Sequence, residues 1–589
     1  SGFGGGNGNS NWRIGAQNSI LQWGSTYFNP TSLKFLAPGV DNMGTSIYGQ
    51  VTLQNGLDLN GAARTISVAA ATGPNALANS WGKVDGVISN GSLIKTGGGN
   101  LLLSKANTFT GGVTINDGMV RLGNATALGP VANATVSFGA ASNGRLHLDG
   151  FSPTIVGLSG DSTAVIANYH ASTAATLTIN NASNNSFAGV LEDGRTASLA
   201  LTKTGGGILT LSGASTYTGG TTVTAGGITL ANRNGFGTGT VTLAGGVNFK
   251  TSTFEGNNVG GALPNDFILS GGKVNVNVAF ANKDIWLNTA VSGAGGFNVT
   301  GSNQRNPGLM LSGAKTFQGG VTLGSGGRVT IDNVASLGTG ALRGENGTLR
   351  VAADLSAGVA NDAVIAQGAN LNILVDGGQS ATLLGSISDE GTGGNLVKSG
   401  DGLLTLAGTN AYAGGTTVNQ GTLIVNGSVP GTVNVAGGAT LGGNGTIGGA
   451  AVSGILAPGG SIGTLTIAGN ATIGGTLLIE VDGTDAGSVD VLNVGGWLDI
   501  AGATVDFDVL TDLDDPFYVF ASYGTLGGSA FAGVLDLPDG YELDYDFQNE
   551  NLIALVEEQA GDIPEPATMA LLGLAAAGLG GYVKRRRRA

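Results

Sequence analysis

Four stretches of this chain repeat one pattern of strand and corner, and that pattern limits what it can fold into. The first reads Leu93-Ile94-Lys95-Thr96-Gly97-Gly98-Gly99-Asn100-Leu101-Leu102-Leu103, then Asn107-Thr108-Phe109-Thr110-Gly111-Gly112-Val113-Thr114-Ile115. It returns from Leu201 with Tyr217 at the aromatic position, and from Leu396 with Tyr412. A worn copy runs from Gly308 through Phe317 to Leu323. A period of roughly 100 residues marks an array of stacked units. Leu-x-Leu alternation puts those leucines on one face of a strand. The Gly-x-Gly before them turns the chain where a side chain would clash or φ must be positive. Each aromatic precedes a Gly-Gly corner that opens the next strand. Short strands joined by tight corners predict an all-β chain wound as a right-handed parallel β-helix, with leucine, valine and isoleucine inside. Coils of ~22 residues stacked at ~4.8 Å would give about 500 residues a length on the order of 100 Å.

Composition agrees. Glycine supplies 109 of 589 residues, without a collagen-like period, while charged residues are 11% and hydrophobic residues 41%. A disordered chain would be charged and poor in aliphatics. There is no cysteine, so disulfides, thiol chemistry and cysteine metal sites are excluded. The net charge is −14, and no lysine or arginine lies between Lys398 and Lys584. Fourteen acids crowd that stretch, from Asp482 to Asp546, so nucleic acid is excluded as a partner. The chain opens at Ser1-Gly2-Phe3 without Met, as expected of numbering that starts after signal removal, or of a fragment.

The C-terminus carries an address. Ile563-Pro564-Glu565-Pro566 precedes an uncharged run from Ala567 to Val583, and Lys584-Arg585-Arg586-Arg587-Arg588-Ala589 ends the chain. Seventeen residues sit at the lower limit for a membrane span. The arginines would stay on the cytoplasmic side, leaving the body on the far side. This tail resembles the PEP-CTERM sorting signal of exported bacterial proteins. That resemblance implies recognition of Pro564, Glu565 and Pro566 by an exosortase-type enzyme, with the short helix a temporary tether in the inner membrane.

The repeats are similar to autotransporter-associated β-strand repeats, which implies a passenger-like β-helix exposed at a cell surface. The array from Ala439 to Leu465 is similar to the C-terminal part of such passengers. No run of barrel strands follows it in this sequence, so the resemblance bears on fold and exposure, not on secretion route. The expected organisation is an N-terminal cap over 1–48, a parallel β-helix over 49–510, an acidic β cap over 511–560 and the sorting signal over 563–589. Repeats are expected near 93–122, 201–230, 297–329 and 396–425.

Candidate chemistry is sparse. Of two histidines, His147 lies in Leu146-His147-Leu148 and is expected to face solvent; neither it nor His170 has a visible catalytic partner. Asp506 and Asp508 share one strand face, and Asp482-Gly483-Thr484-Asp485 resembles a calcium-favouring turn. Against calcium stands a solvated acidic face that keeps the chain soluble. Lys95, Lys203 and Lys398 recur at one repeat position, where they would bind anionic polysaccharide or stand as exposed turn lysines that discourage edge pairing. The reading is a non-enzymatic, exported surface or matrix protein without a cofactor, acting as adhesin, spacer or self-associating assembly unit with exopolysaccharide as a partner. A polysaccharide lyase or hydrolase, or a calcium-dependent carbohydrate-binding module, is the alternative on the same fold.

Overall fold

A computed structural model describes residues 2–4, 9–16, 18–36, 49–70, 80–140, 142–252, 261–278, 285–301, 308–483 and 488–558. The chain divides into two compact units, Ser1–Asn434 and Val435–Ala589. Both are all-β. The one helical element among the described residues is a single 3-10 turn, Phe547–Asn549. No helix of the described residues is long and apolar enough to cross a membrane. The expected span, Ala567 to Val583, lies outside the described residues.

In the first unit the chain winds in coils, and each strand pairs in parallel with the strand one coil further on. The second repeat shows the rule. Leu199–Lys203 pairs with Thr221–Val223, and that strand with Val241–Ala244. The alternate strands, Ile208–Leu211, Gly227–Leu230 and Asn248–Thr251, pair in a second sheet. Leu201, Thr221 and Val241 are register partners, so one repeat supplies two successive coils. Parallel pairing buries strands on their inner faces, and here every inward Leu-x-Leu position is filled. Leu201, Leu209, Leu211, Val223, Ile228 and Leu230 are all fully or almost fully buried. The outer face of the same sheet carries Thr154, Thr178, Thr202, Thr222 and Thr242 in register, a column that suits β-branched residues on a pleated surface.

The repeat's aromatics lie inside. Phe109, Tyr217, Phe317 and Tyr412 have no exposed surface. A buried tyrosine hydroxyl needs a partner. Tyr217 Oη lies 2.5 Å from Thr221 Oγ1, and Tyr412 Oη 2.5 Å from Thr416 Oγ1. The asparagine two residues before the aromatic closes the corner. Asn107 Oδ1 accepts from the Ile88 amide and Asn410 Oδ1 from the Ile387 amide. Glycine is required at Gly118, where φ is +66° and an added Cβ would lie 2.5 Å from Gly97 O. Gly226 and Gly421 repeat that geometry, against Gly205 O and Gly400 O.

The recurrent lysines correct the sequence reading. They are not exposed turn residues, and they offer no ammonium to a polysaccharide. Lys95, Lys203 and Lys398 are fully buried. Lys95 Nζ donates to Thr96 O (3.0 Å), Gly97 O (2.5 Å) and, on the next coil, Asp117 O (3.0 Å). Lys398 Nζ donates to Ser399 O (3.2 Å), Gly400 O (2.7 Å) and Gln420 O (3.0 Å). Lys203 Nζ reaches Gly205 O and Ala225 O. Each lysine thus ties its own glycine corner to the corner one coil on. Burial pushes the ammonium of Lys95 down to about 7 and those of Lys203 and Lys398 down to about 8. The worn copy achieves a related tie with Lys315, whose Nζ donates to Thr289 O and Ser312 O.

The second unit continues parallel pairing in two ladders. One joins Thr440–Gly443, Ile455–Pro458, Thr476–Val481, Thr504–Val509 and Gly533–Leu535. The other joins Thr446–Val452, Thr464–Ile467, Val491–Asp499 and Phe517–Gly527. It then reverses. Leu552–Glu557 pairs antiparallel with Phe517–Gly527, and Tyr541–Asp544 pairs antiparallel with Leu552–Glu557. That reversal covers an edge that would otherwise template further pairing.

Candidate recognition surface

A cluster of charged, aromatic and histidine side chains lies on the outer face of an eight-stranded sheet in the first unit. Trp81, Asn100, Met119, Arg145 and Val165 are successive register partners, as are Lys83, Leu102, Arg121, His147 and Ala167. The coils there differ in length: Asn100 to Met119, Met119 to Arg145 and Arg145 to Val165 are steps of 19, 26 and 20 residues. The strands Arg145–His147, Val165–Ala167 and Val190–Glu192 of this sheet each lead into a loop.

One buried asparagine gathers three of those loops. Asn168 has no exposed surface. Its Oδ1 accepts from the Gly150 amide at 2.8 Å. Its Nδ2 donates to Thr173 O (2.9 Å), Ser198 O (2.9 Å) and Ala197 O (3.3 Å). His170 fixes the middle loop, its Nδ1 accepting from the amides of Thr173 and Ser172. Three neighbours of these anchors, Asp149, Tyr169 and Arg195, are thereby held near the sheet face.

The side chains meet there in two stacks. The Arg121 guanidinium lies 4.2 Å from the Trp81 ring centroid and pairs with Asp149 Oδ2. The His147 and Tyr169 rings stack at 4.9 Å and 18°. The Arg195 guanidinium lies 6.0 Å from the Tyr169 ring, which is 45% exposed. Arg145 Nη1 sits 3.7 Å from Glu192 Oε1.

His147 is a second correction. It does not face solvent; it is 4% exposed, beneath Tyr169. Burial pushes its imidazole down to about 3, and Arg121 and Arg145 push the same way. Neither ring nitrogen has a hydrogen-bond partner, and Asp149 Oδ1 is also buried without one. Each such atom costs about 1–3 kcal/mol and calls for an explanation.

The other sequence candidates lie apart from this surface. Asp506 and Asp508 do share the outward face of Thr504–Val509, with Val505 and Phe507 buried behind them. Asp482 Oδ1 accepts from Thr511 Oγ1 at 2.6 Å, while Asp485 lies outside the described residues. Among the described residues no group of three or more histidine or acidic side chains could hold a metal ion. Pro564, Glu565, Pro566 and the cluster Lys584, Arg585, Arg586, Arg587 and Arg588 also lie outside the described residues.

Comparison with known proteins gives these features a setting. Residues 93–122, 201–230 and 396–425 each match the passenger-associated-transport-repeat family. Residues 562–588 match the PEP-CTERM protein-sorting motif. The chain carries passenger-type repeats and a sorting motif. The "Adhesin BmaC autotransporter" of Brucella suis biovar 1 (strain 1330) is 28% identical over 400 residues, 56% of this chain. The chain spans about a tenth of that relative, 11% of its length. The Haemophilus influenzae Hap adhesin structure aligns over 89% of this chain and 64% of its own, at 14% identity and a TM-score of 0.30. Lys95, Lys203 and Lys398, the aromatics Phe109, Tyr217 and Tyr412, and the corner glycines Gly118, Gly226 and Gly421 fall within the three matched segments.

Proposed function

We propose that this chain is an exported, non-enzymatic adhesive protein of the bacterial surface or extracellular matrix, wound as a right-handed parallel β-helix. The observation that carries the reading is the union of passenger-type repeats at 93–122, 201–230 and 396–425 with a sorting motif at 562–588. A stack with a hydrogen-bonded interior and polar threonine outer columns is suited to present side chains outside a cell. Similarity to an autotransporter adhesin supports adhesion. The tail would be recognised at Pro564, Glu565 and Pro566 by an exosortase-type enzyme while its apolar run holds the chain in the inner membrane.

The test compares the producing bacterium with a strain lacking this chain, under shear, on abiotic and polysaccharide-coated surfaces. The deletion strain is expected to be retained several-fold less. Equal retention on every surface would overturn the adhesive reading. Release of new reducing ends from any of those polysaccharides by the full chain would overturn the non-enzymatic one.

A further inference from the structure

We propose that the outer face around His147 is a binding site for an anionic glycan, one whose sugar rings carry carboxylate or sulfate. This inference names the ligand class of the adhesive surface, and so rests on the reading above. Four observations converge. First, the surface offers two aromatic rings, Trp81 and Tyr169. Trp81 and Arg145 lie three strands apart, about 14 Å, a span suited to several sugar units. Aromatic faces take the apolar C–H faces of sugars, and Tyr169 is half-exposed for that purpose.

Second, three guanidinium groups gather here. Arg121, Arg145 and Arg195 stand with Asp149, Glu192 and Asp193, the last with its carboxylate already held by Leu199 and Thr218, in a chain whose net charge is −14. Arg195 is exposed and has no acidic partner among the described residues. A guanidinium presents a planar fork that matches carboxylate and sulfate oxygens. The chain as a whole repels polyanions, so attraction of one must be local.

Third, the site holds polar groups that the fold leaves unsatisfied: both nitrogens of His147 and Asp149 Oδ1. Sugar hydroxyls both donate and accept, and the neutral imidazole and the carboxylate need that complement. Tyr169 covers His147, so its ring must rotate aside to admit a hydroxyl, leaving an aromatic wall beside the ring it uncovers. Fourth, the loops are held in place before any ligand arrives. The four hydrogen bonds of Asn168 fix the segments bearing Asp149, Tyr169 and Arg195, which lowers the entropic cost of binding.

The experiment titrates the full chain in detergent with polygalacturonate, dextran sulfate and unsubstituted dextran, by calorimetry and tryptophan fluorescence. Arg195→Gln and Tyr169→Ala remove groups from the solvent side, and Arg195→Lys keeps the charge. Arg350→Gln, on another sheet, is the control, and near-ultraviolet circular dichroism checks that each variant is folded. The wild-type chain is expected to bind at least one of the two polyanions, with affinity falling as salt rises, and not to bind dextran. Arg195→Gln and Tyr169→Ala should each weaken binding about tenfold or more, Arg195→Lys less, and Arg350→Gln not at all. No binding of either polyanion, equal binding of dextran, or unchanged affinity in both site variants would overturn the proposal. Failure of the adhesive reading shows separately, as equal retention of producing and deletion strains whatever the purified chain binds.

Discussion

Replacing Lys398 with methionine tests the buried-lysine interior most sharply. Methionine keeps the volume and apolar stem, and removes only the ammonium. Three carbonyls, Ser399 O, Gly400 O and Gln420 O, then lose their donor. Buried acceptors without a partner cost about 1–3 kcal/mol each, so roughly 6 kcal/mol is lost at the midpoint of that range. The substitution also relieves the burial of charge. Burial lowers this lysine from 10.5 to about 8, which corresponds to about 3 kcal/mol against the charged form. The difference leaves a destabilisation of about 3 kcal/mol. Urea unfolding followed by far-ultraviolet circular dichroism measures it, with Lys105→Met as reference. Lys105 is 51% exposed and lies 3.9 Å from Asp85 Oδ1, a contact worth under about 1 kcal/mol. Should Lys398→Met shift the midpoint no more than Lys105→Met, the carbonyl cage contributes nothing and the exposed-lysine reading was sound.

Other outcomes follow from the same geometry. The folded pKa values of Lys95, Lys203 and Lys398 lie below 10.5, so between pH 7.5 and 9.5 the unfolded chain binds more protons and stability should rise with pH. In a triple methionine variant that rise should flatten, as thermal melts across the window would show; an unchanged slope would refute it. Asp490 opposes the trend only at lower pH, because burial raises it to about 7 and its contribution is lost as pH climbs to that value. Gly118→Ala should destabilise by several kcal/mol, since its Cβ would meet Gly97 O at 2.5 Å. Gly246→Ala, at φ +82° with nothing within 4 Å, should cost only about 1–2 kcal/mol by the same urea assay. Asn410→Ala should cost about 1–3 kcal/mol, because the Ile387 amide loses its partner while the Ser428 carbonyl keeps the Asn410 backbone amide; a change under about 0.5 kcal/mol by urea titration would contradict that role.

Strand alternation carried much of the fold in the sequence, and its two misreadings are instructive. Leu93 and Lys95 share strand parity, so alternation alone put Lys95 on the leucine face. The assumption that charge seeks water put it outside. What reversed the outcome is a ring of corner carbonyls, including one from the next coil, which no local window displays. His147 does have the outward parity expected of it, because Leu146 behind it is buried in the core. Its cover, Tyr169, comes from the following coil. The convergence of Asp149, Tyr169 and Arg195 was not legible at all. It depends on coils of unequal length brought together by Asn168, and unequal lengths leave no repeating motif. The acid pair Asp506 and Asp508 followed from parity alone and shares a face as expected.

Under the proposed function, the tail delivers this chain to the outside of the cell. The most direct measurement labels intact producing cells with a membrane-impermeant amine reagent, comparing the full chain with one ending at Asp562. The full chain should be labelled at the surface and the shortened chain should fall severalfold in labelling at equal synthesis. Equal surface labelling of the two would contradict the claim.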